Sequence, residues 1–490
     1  MKRFSLLWTL ILGLAGGLLA QASPSFSDHF EDRALRLDLY QVGDAQRESI
    51  TLDRLVVEGV WPGPISGRAV AAQGRYALKV TGIEGGPSLY EEGFDTMFGE
   101  YRTTTPAIQG ISRVFPRSVR IPMPRHPVRV AIEARDRSNI LRPLFSVTVD
   151  PADYHLRREA GGDEEVFAVQ TSGSPHDCVD LVFVGEGYTA ADRDKFRADL
   201  ERFRQALFAI EPYRSRQDRF NVVGVLPLSA ETAMDEPRQR AWRRTALDAS
   251  FNAFDLDRYM LIEGGHHLRA VAARVPYDTL VVLVNSARYG GGGIYNDYCV
   301  TTVDHPRSLA VFLHEFGHSF GGLADEYYTS DVSYNEFYPK GIEPLEPNIT
   351  ALLDPTRVKW ADLLTPGLAV PTLYGKEEIE ALQVEKAGLP ELMKAEREKA
   401  RRAGARDSQL QKMERIWDRK AAAFDRKIEA VRTSYASLLD KVGVFEGAGY
   451  AAKGLYRPMI HCLMISSPRN EYCRVCQRAI AERIDQLAPR

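Results

Sequence analysis

The amino-acid sequence predicts an α+β protein, in which a β-sandwich is followed by an α/β domain carrying a long helical insertion. Three observations carry this reading. Short alternating apolar runs separated by Gly and Pro clusters fill residues 26–150. Beyond them, apolar runs of strand length alternate with helical periods. Residues 376–440 are different again, dense in Lys, Arg and Glu, with apolar residues at three- and four-residue steps. A chain of 490 residues exceeds what one hydrophobic core supports, so more than one domain is expected.

At the N-terminus, Lys2 and Arg3 precede an apolar run from Leu6 to Leu19, and Ala20-Gln21-Ala22 offers small residues where a signal peptidase cuts. Residues 1–22 therefore read as a signal peptide, and the mature chain as exported, periplasmic or secreted. Gly13, Gly16 and Gly17 interrupt the run, which is short of the roughly 20 residues of a spanning helix, so no stable membrane span is expected after cleavage. The sandwich reading rests on Leu35 to Tyr40, Tyr76 to Val80, Val128 to Ile132 and Leu144 to Val149. Turns are marked by Trp61-Pro62-Gly63-Pro64 and Gly85-Gly86-Pro87. Asp150-Pro151 and the polar stretch Arg157 to Glu165 read as a linker.

Val179 to Val184, Phe220 to Leu226 and Thr279 to Val284 then read as buried strands, and Thr189-Ala190-Ala191-Asp192 opens a helical period through Phe196, Leu200, Phe203 and Leu207. The glycine run Gly290 to Gly293 lacks the residues that would make it a phosphate loop. In the insertion, the stripe Leu410, Met413, Trp417, Phe424, Ile428, Val431, Tyr435 and Leu438 predicts a helical hairpin packed against the domain that carries it; a substrate-gripping arm is the alternative. The net charge of −3 is mild and points to no nucleic-acid partner. Of the five cysteines, Cys473 and Cys476 form a C-x-x-C with no second such pair to complete a zinc ribbon. In an exported chain a disulfide from Cys462 to one of them is expected, with Cys178 and Cys299 elsewhere.

The chemistry concentrates in Ser308 to Tyr327. An apolar run leading into His314-Glu315-Phe316-Gly317-His318 predicts a helix presenting both imidazoles on one face, because residues four apart lie side by side. Two imidazoles converging on one point suit Zn²⁺, which in catalytic sites keeps three protein ligands and an open position. Glu315, beside the first ligand, is placed to act as general base on a water held there. Gly321-Gly322 ends the helix and turns the chain back, which makes Asp325 the expected third ligand and Glu326 its alternative; a cap or surface carboxylate is the competing reading of Asp325.

The run His314 to Tyr328 resembles the signature of the IgA-peptidase family of zinc metallo-endopeptidases, metallopeptidase family sixty-four. The resemblance continues at Tyr289 to Tyr295, Val442 to Tyr450, and Tyr456-Arg457-Pro458 through Cys462-Leu463-Met464. It spans residues 165–488, and residues 26–150 look like the sandwich that precedes the peptidase domain in some members. It implies a protein or peptide substrate, zinc on His314, His318 and an acidic residue within Asp325-Glu326, and Glu315 as base. The family is similar to the metzincins, which implies a zincin-like catalytic domain with a methionine turn as metal floor. Met464 is the expected floor and Met459 the alternative, with core packing as the competing reading of both. The metzincin spacing would put the third ligand at Ala324, which cannot bind metal.

Other polar residues carry less. His461, His305 and the loop pair His266-His267 lack ligand spacing, and Tyr327, Tyr450 or Tyr456 could donate to a developing oxyanion. Two other functions use the same features: an exported zinc amidase acting on cell-wall peptides, and a non-catalytic exported binding protein that recognises its partner with the sandwich.

Overall fold

The computed structural model describes residues 25–65, 73–158, 162–328, 336–465 and 470–489. The signal peptide read over residues 1–22 lies outside them.

The N-terminal region is built from two antiparallel sheets. In the first, β1 (Phe30–Gly43) lies between β2 (Glu48–Val57) and a strand at Arg113–Pro124; the second is ordered Tyr90–Phe94, Tyr76–Gly82, Val128–Arg135, Leu141–Val149. Strand side chains alternate between faces, so Leu35, Leu37 and Leu39 of β1 enter one core with Leu78, Val80, Val130 and Ile132 of the other sheet. The opposite face of β1 is also buried, and it is polar. Arg36 donates to Asp38 at 2.9 Å and to Glu58 at 2.6 Å, and the Ser118 hydroxyl donates to Asp38 at 2.5 Å. A buried guanidinium needs such a complete set of partners. The stretch read as a linker is partly tied to this region, since Val57 N–H donates to Arg157 O at 2.8 Å.

The second region holds a six-stranded sheet. Its strands are Glu165–Gln170, Val179–Glu186, Phe220–Leu226, Thr279–Val284, β3 (Gly291–Ile294) and Tyr298–Thr302. From one edge the order is β3, Tyr298–Thr302, Thr279–Val284, Val179–Glu186, Phe220–Leu226, Glu165–Gln170. The four inner strands are parallel and both edge strands antiparallel. Val179–Glu186 and Thr279–Val284 are buried along their whole length, which is why they read as continuous apolar runs rather than alternating ones. A capping box between Thr189 and Asp192 leads into helix α1 (Arg193–Phe208), whose Phe196, Leu200, Phe203 and Leu207 cover one face of the sheet. Helix α2 (Ser308–Ser319) packs beside it, the Phe312 ring 5.3 Å from that of Phe203 and 6.0 Å from that of Phe183.

The insertion forms two helices, α3 (Lys376–Arg402) and α4 (Asp407–Ser434), which pack on each other. Lys386 pairs with Asp425 and Arg397 with Glu414 across them. The stripe residues Leu410, Trp417, Ile428 and Val431 are buried, whereas Lys376 at the base is the one buried residue of α3. The hairpin is tied to the rest of the domain at its base, where Lys376 Nζ donates to Ala452 O at 2.5 Å. A hairpin, Phe445–Ala448 with Ala451–Arg457, and helix α5 (Arg474–Leu487) complete the chain. No helix among the described residues is long and apolar enough to cross a membrane.

The two regions share an apolar core, in which Met97, Phe98 and Tyr101 pack with Val184 and Phe254, and they meet through specific polar contacts as well. Asp95 N–H donates to Tyr295 O at 2.9 Å, His266 Nε2 lies 2.8 Å from Leu39 O, and Arg117 and Arg269 both pair with Asp297. His266-His267, read as part of a loop, open a helix at Gly265–Ala272, and His266 works at this contact.

Candidate metal centre

The 3.6-residue turn that buries Phe312 and Phe316 against the sheet puts His314 and His318 on the opposite side of α2, facing a cleft. The helix stops at Ser319, and Gly322, at φ +59°, reverses the chain. A Cβ at Gly322 would approach the Tyr295 ring to 3.0 Å, so glycine is required both for the left-handed backbone and for space. The returning segment brings Asp325 over the histidines. Asp325 Oδ1 lies 2.9 Å from His314 Nε2 and 3.4 Å from His318 Nε2, and the two Nε2 atoms are 3.2 Å apart. Two imidazole nitrogens bound about 2.05 Å from one tetrahedral ion would be about 3.3 Å apart. The three groups therefore fit a single small divalent ion.

Each ligand is oriented from behind. His318 Nδ1 lies 2.6 Å from Leu323 O and His314 Nδ1 3.1 Å from Leu463 O, so both rings donate through Nδ1 and aim Nε2 inward. The Tyr450 hydroxyl donates to Asp325 Oδ2 at 2.5 Å, leaving Oδ1 for the centre. Tyr450 itself sits at φ +65° and is held there by its N–H on Tyr327 O. The Tyr450→Phe protein should bind metal about 10- to 100-fold more weakly, read by competition with a chromogenic chelator. Unchanged affinity would show that the phenol does not set the carboxylate.

Electrostatics agree with the geometry. Burial alone would lower both imidazoles, yet the Asp325 carboxylate raises His314 and pushes His318 up to about 9. Against the cost of burial, the two histidines in turn hold Asp325 well below the usual carboxylate range. Metal uptake at this centre must therefore displace protons.

Met464 lies beneath α2: a Cβ at Gly317 would come within 2.9 Å of its Sδ, and Met464 O accepts from Glu326 N at 2.9 Å. Met459 is buried in the same apolar cluster as Met464. Glu326 does not join the histidines. It turns the other way, accepts from Asn348 Nδ2 at 2.9 Å and faces Cys462, Cys473 and Cys476. Those cysteines are not joined by a disulfide. The Sγ atoms of Cys462 and Cys476 are 3.7 Å apart, against about 2.05 Å for a bond, and none of the five cysteines is in a disulfide. Tyr456, a candidate oxyanion donor, is not among the residues that line the cleft. Tyr327 does line the cleft, its ring 6.3 Å from that of His314.

Two features have a place at the site that the sequence did not show. Arg258, in an irregular segment, lines the cleft, and despite burial Tyr327 and Glu315 hold its guanidinium protonated beyond the ordinary arginine range. The other is the glycine run, which forms edge strand β3. Cβ atoms at Gly291 and Gly293 would lie 3.1 Å from Glu315 Cγ and 2.2 Å from Glu315 O, so the glycines let the sheet edge approach α2 at the base. The opposite wall of the cleft comes from the N-terminal region, through Gln73, Arg75, Thr96 and Glu100.

A family model described as IgA Peptidase M64 matches residues 167–484, and one described as Peptidase M64 N-terminus matches residues 25–146. The chain belongs to the M64 peptidase family. This M64 protein is thus a metallopeptidase, a hydrolase acting on proteins or peptides. The histidine helix, Asp325, Tyr450 and Met464 all fall in its peptidase match, while Arg75 and Glu100 fall in the N-terminal one. Comparison with curated proteins gives no match.

Proposed function

We propose that this M64 peptidase is an exported, zinc-dependent endopeptidase of metzincin-like design, in which His314, His318 and Asp325 hold zinc and Glu315 is the general base. The observation that carries this reading is the convergence of two Nε2 atoms and Asp325 Oδ1 within 3.4 Å of one another, beside Glu315 on the same helix. The donor set of two imidazoles and one carboxylate suits zinc and leaves a position open.

When bound, zinc polarises the scissile carbonyl and brings the pKa of a water down towards about 7. Glu315, half-buried at the cleft surface, accepts a proton from the attacking water and passes it to the departing amine. Burial pushes the Tyr327 phenol up, so it stays protonated and is available to donate to the carbonyl oxygen as negative charge develops. Arg258, beside Tyr327, adds positive charge to the same wall. The leader at residues 1–22 supports export to the periplasm or beyond.

The test is digestion of a denatured-protein library by the mature chain, read by mass spectrometry. Internal cleavages are expected, abolished by 1,10-phenanthroline and restored by zinc. Release of terminal residues alone would sink the endopeptidase reading, activity indifferent to the chelator would sink the metal, and cleavage confined to cell-wall peptides would turn it into an amidase.

A further inference from the structure

A second group of ligand-type side chains lies behind the centre just described. Cys462, Cys473, Cys476 and Glu326 each place one ligand atom within 4.8 Å of all the others, and all four are buried. The C-x-x-C at the start of α5 supplies two sulfurs from adjacent turns, Cys473 being the N-cap residue. Cys462 comes from the turn that ends in Met464, and Glu326 from the segment that carries Asp325.

We propose that Cys462, Cys473, Cys476 and Glu326 form a second, structural zinc site with a closed shell of three thiolates and one carboxylate.

Three observations support it. The first is spacing. Two sulfurs about 2.3 Å from one tetrahedral ion would be about 3.8 Å apart, and a sulfur and a carboxylate oxygen about 3.6 Å. Cys462 Sγ and Cys476 Sγ are 3.7 Å apart, and Glu326 Oε1 is 3.1 Å from Cys476 Sγ and 3.9 Å from Cys473 Sγ. The second is backbone preparation. Cys473 N–H points at Cys462 Sγ at 3.3 Å and Cys476 N–H at Cys473 Sγ at 3.5 Å, donors that favour thiolates. The third is Glu326, wholly buried, whose Oε2 has no hydrogen-bond partner. A carboxylate is not stable in such a place unless something compensates it. A Cys462–Cys476 disulfide would leave the buried carboxylate uncompensated and the third thiol without a role, whereas a dication beside Oε1 compensates the carboxylate and takes all three sulfurs.

Four protein ligands and no open position mark a structural rather than catalytic site, and soft thiolates select zinc over harder cations. Its position suggests what it does. Glu326 follows Asp325 directly, and Cys462 precedes Leu463 and Met464, whose carbonyls orient His314 and accept from Glu326 N. The second ion would thus clamp α5 and the methionine turn to the third-ligand segment.

The test uses the mature natural chain, purified without chelator or added thiol, and combines metal analysis, zinc X-ray absorption and thiol titration in denaturant with chelator. About two zinc ions per chain are expected, with sulfur at about 2.3 Å in the averaged shell, and all five thiols titrating. Cys476→Ser should lose one ion and the sulfur signal. If that variant does not fold, the spectrum and thiol count of the natural protein still decide. A shell of nitrogen and oxygen only, or three titrating thiols, would overturn the proposal. The site is separable from the catalytic reading: in His314→Ala/His318→Ala the sulfur-bound ion should remain, and a natural protein holding one ion with sulfur ligands would count against the histidine centre alone.

Discussion

Glu315→Gln is expected to keep its metal and to lose about 10²- to 10⁴-fold in kcat, because the amide preserves shape and polarity but cannot accept the proton. Glu315 points into the cleft from the same helix as both histidines and touches neither of their Nδ1 partners, so the variant should fold and load as the natural protein does. The measurement is kcat and KM on a peptide found in the library digest, with metal content determined on the same samples. KM should move little, since the loss is confined to the transition state. Retained turnover would remove Glu315 from the role of base, and loss of metal would show instead that Glu315 helps hold the centre.

Asp325→Ala should have the larger effect on binding, emptying the histidine centre at metal concentrations that saturate the natural protein and abolishing proteolysis. The variant also changes the metal-free protein in a way that can be followed separately. In the natural chain His318 is raised from 6.5 to about 9 by Asp325. A group raised on folding stabilises the fold fully below its unfolded pKa and loses that contribution as pH rises through the folded value. The metal-free natural protein should therefore lose stability between about pH 6.5 and pH 9, and Asp325→Ala, which keeps only the weaker pull of Glu315 and the Leu323 carbonyl, should lose much less. Thermal melts of both proteins in chelator across that range test it. An unchanged pH dependence would mean that the carboxylate does not hold the imidazolium.

The parts of this site that could be read from sequence are those fixed by local geometry. His314, Glu315 and His318 are related by helical period, and Gly321-Gly322 by the need for a left-handed turn, which the structure takes at Gly322. Beyond that turn the chain has no period, so Asp325 and Glu326 could be ranked but not separated. Their separation comes from Tyr450 on one side and Asn348 with the cysteines on the other, residues distant in the chain. The same limit explains the cysteines. Metal-ligand spacing marks Cys473 and Cys476, but it cannot show that a carboxylate near the histidine helix and a lone Cys462 complete the group. The glycine run was legible as unusual, but its reason, contact with the backbone of Glu315, exists only once the strand edge and helix are packed together. The hairpin shows the opposite case: its helices follow from their own stripe, while the contact of Lys376 with Ala452 O at its base is one that periodicity does not encode.

The participation of the N-terminal region in the cleft has a consequence for how this protein can change. Arg75, Thr96 and Glu100 line the cleft from the N-terminal region, and the segment after Thr96 packs through Met97, Phe98 and Tyr101 in one core with Val182 and Val184 of the peptidase sheet. Substitutions on that wall could retune which side chains a substrate may present without disturbing the packing of the histidine helix. A change on that wall would thus be felt in the cleft while His314, His318 and Asp325 keep their own supports from Leu463, Leu323 and Tyr450.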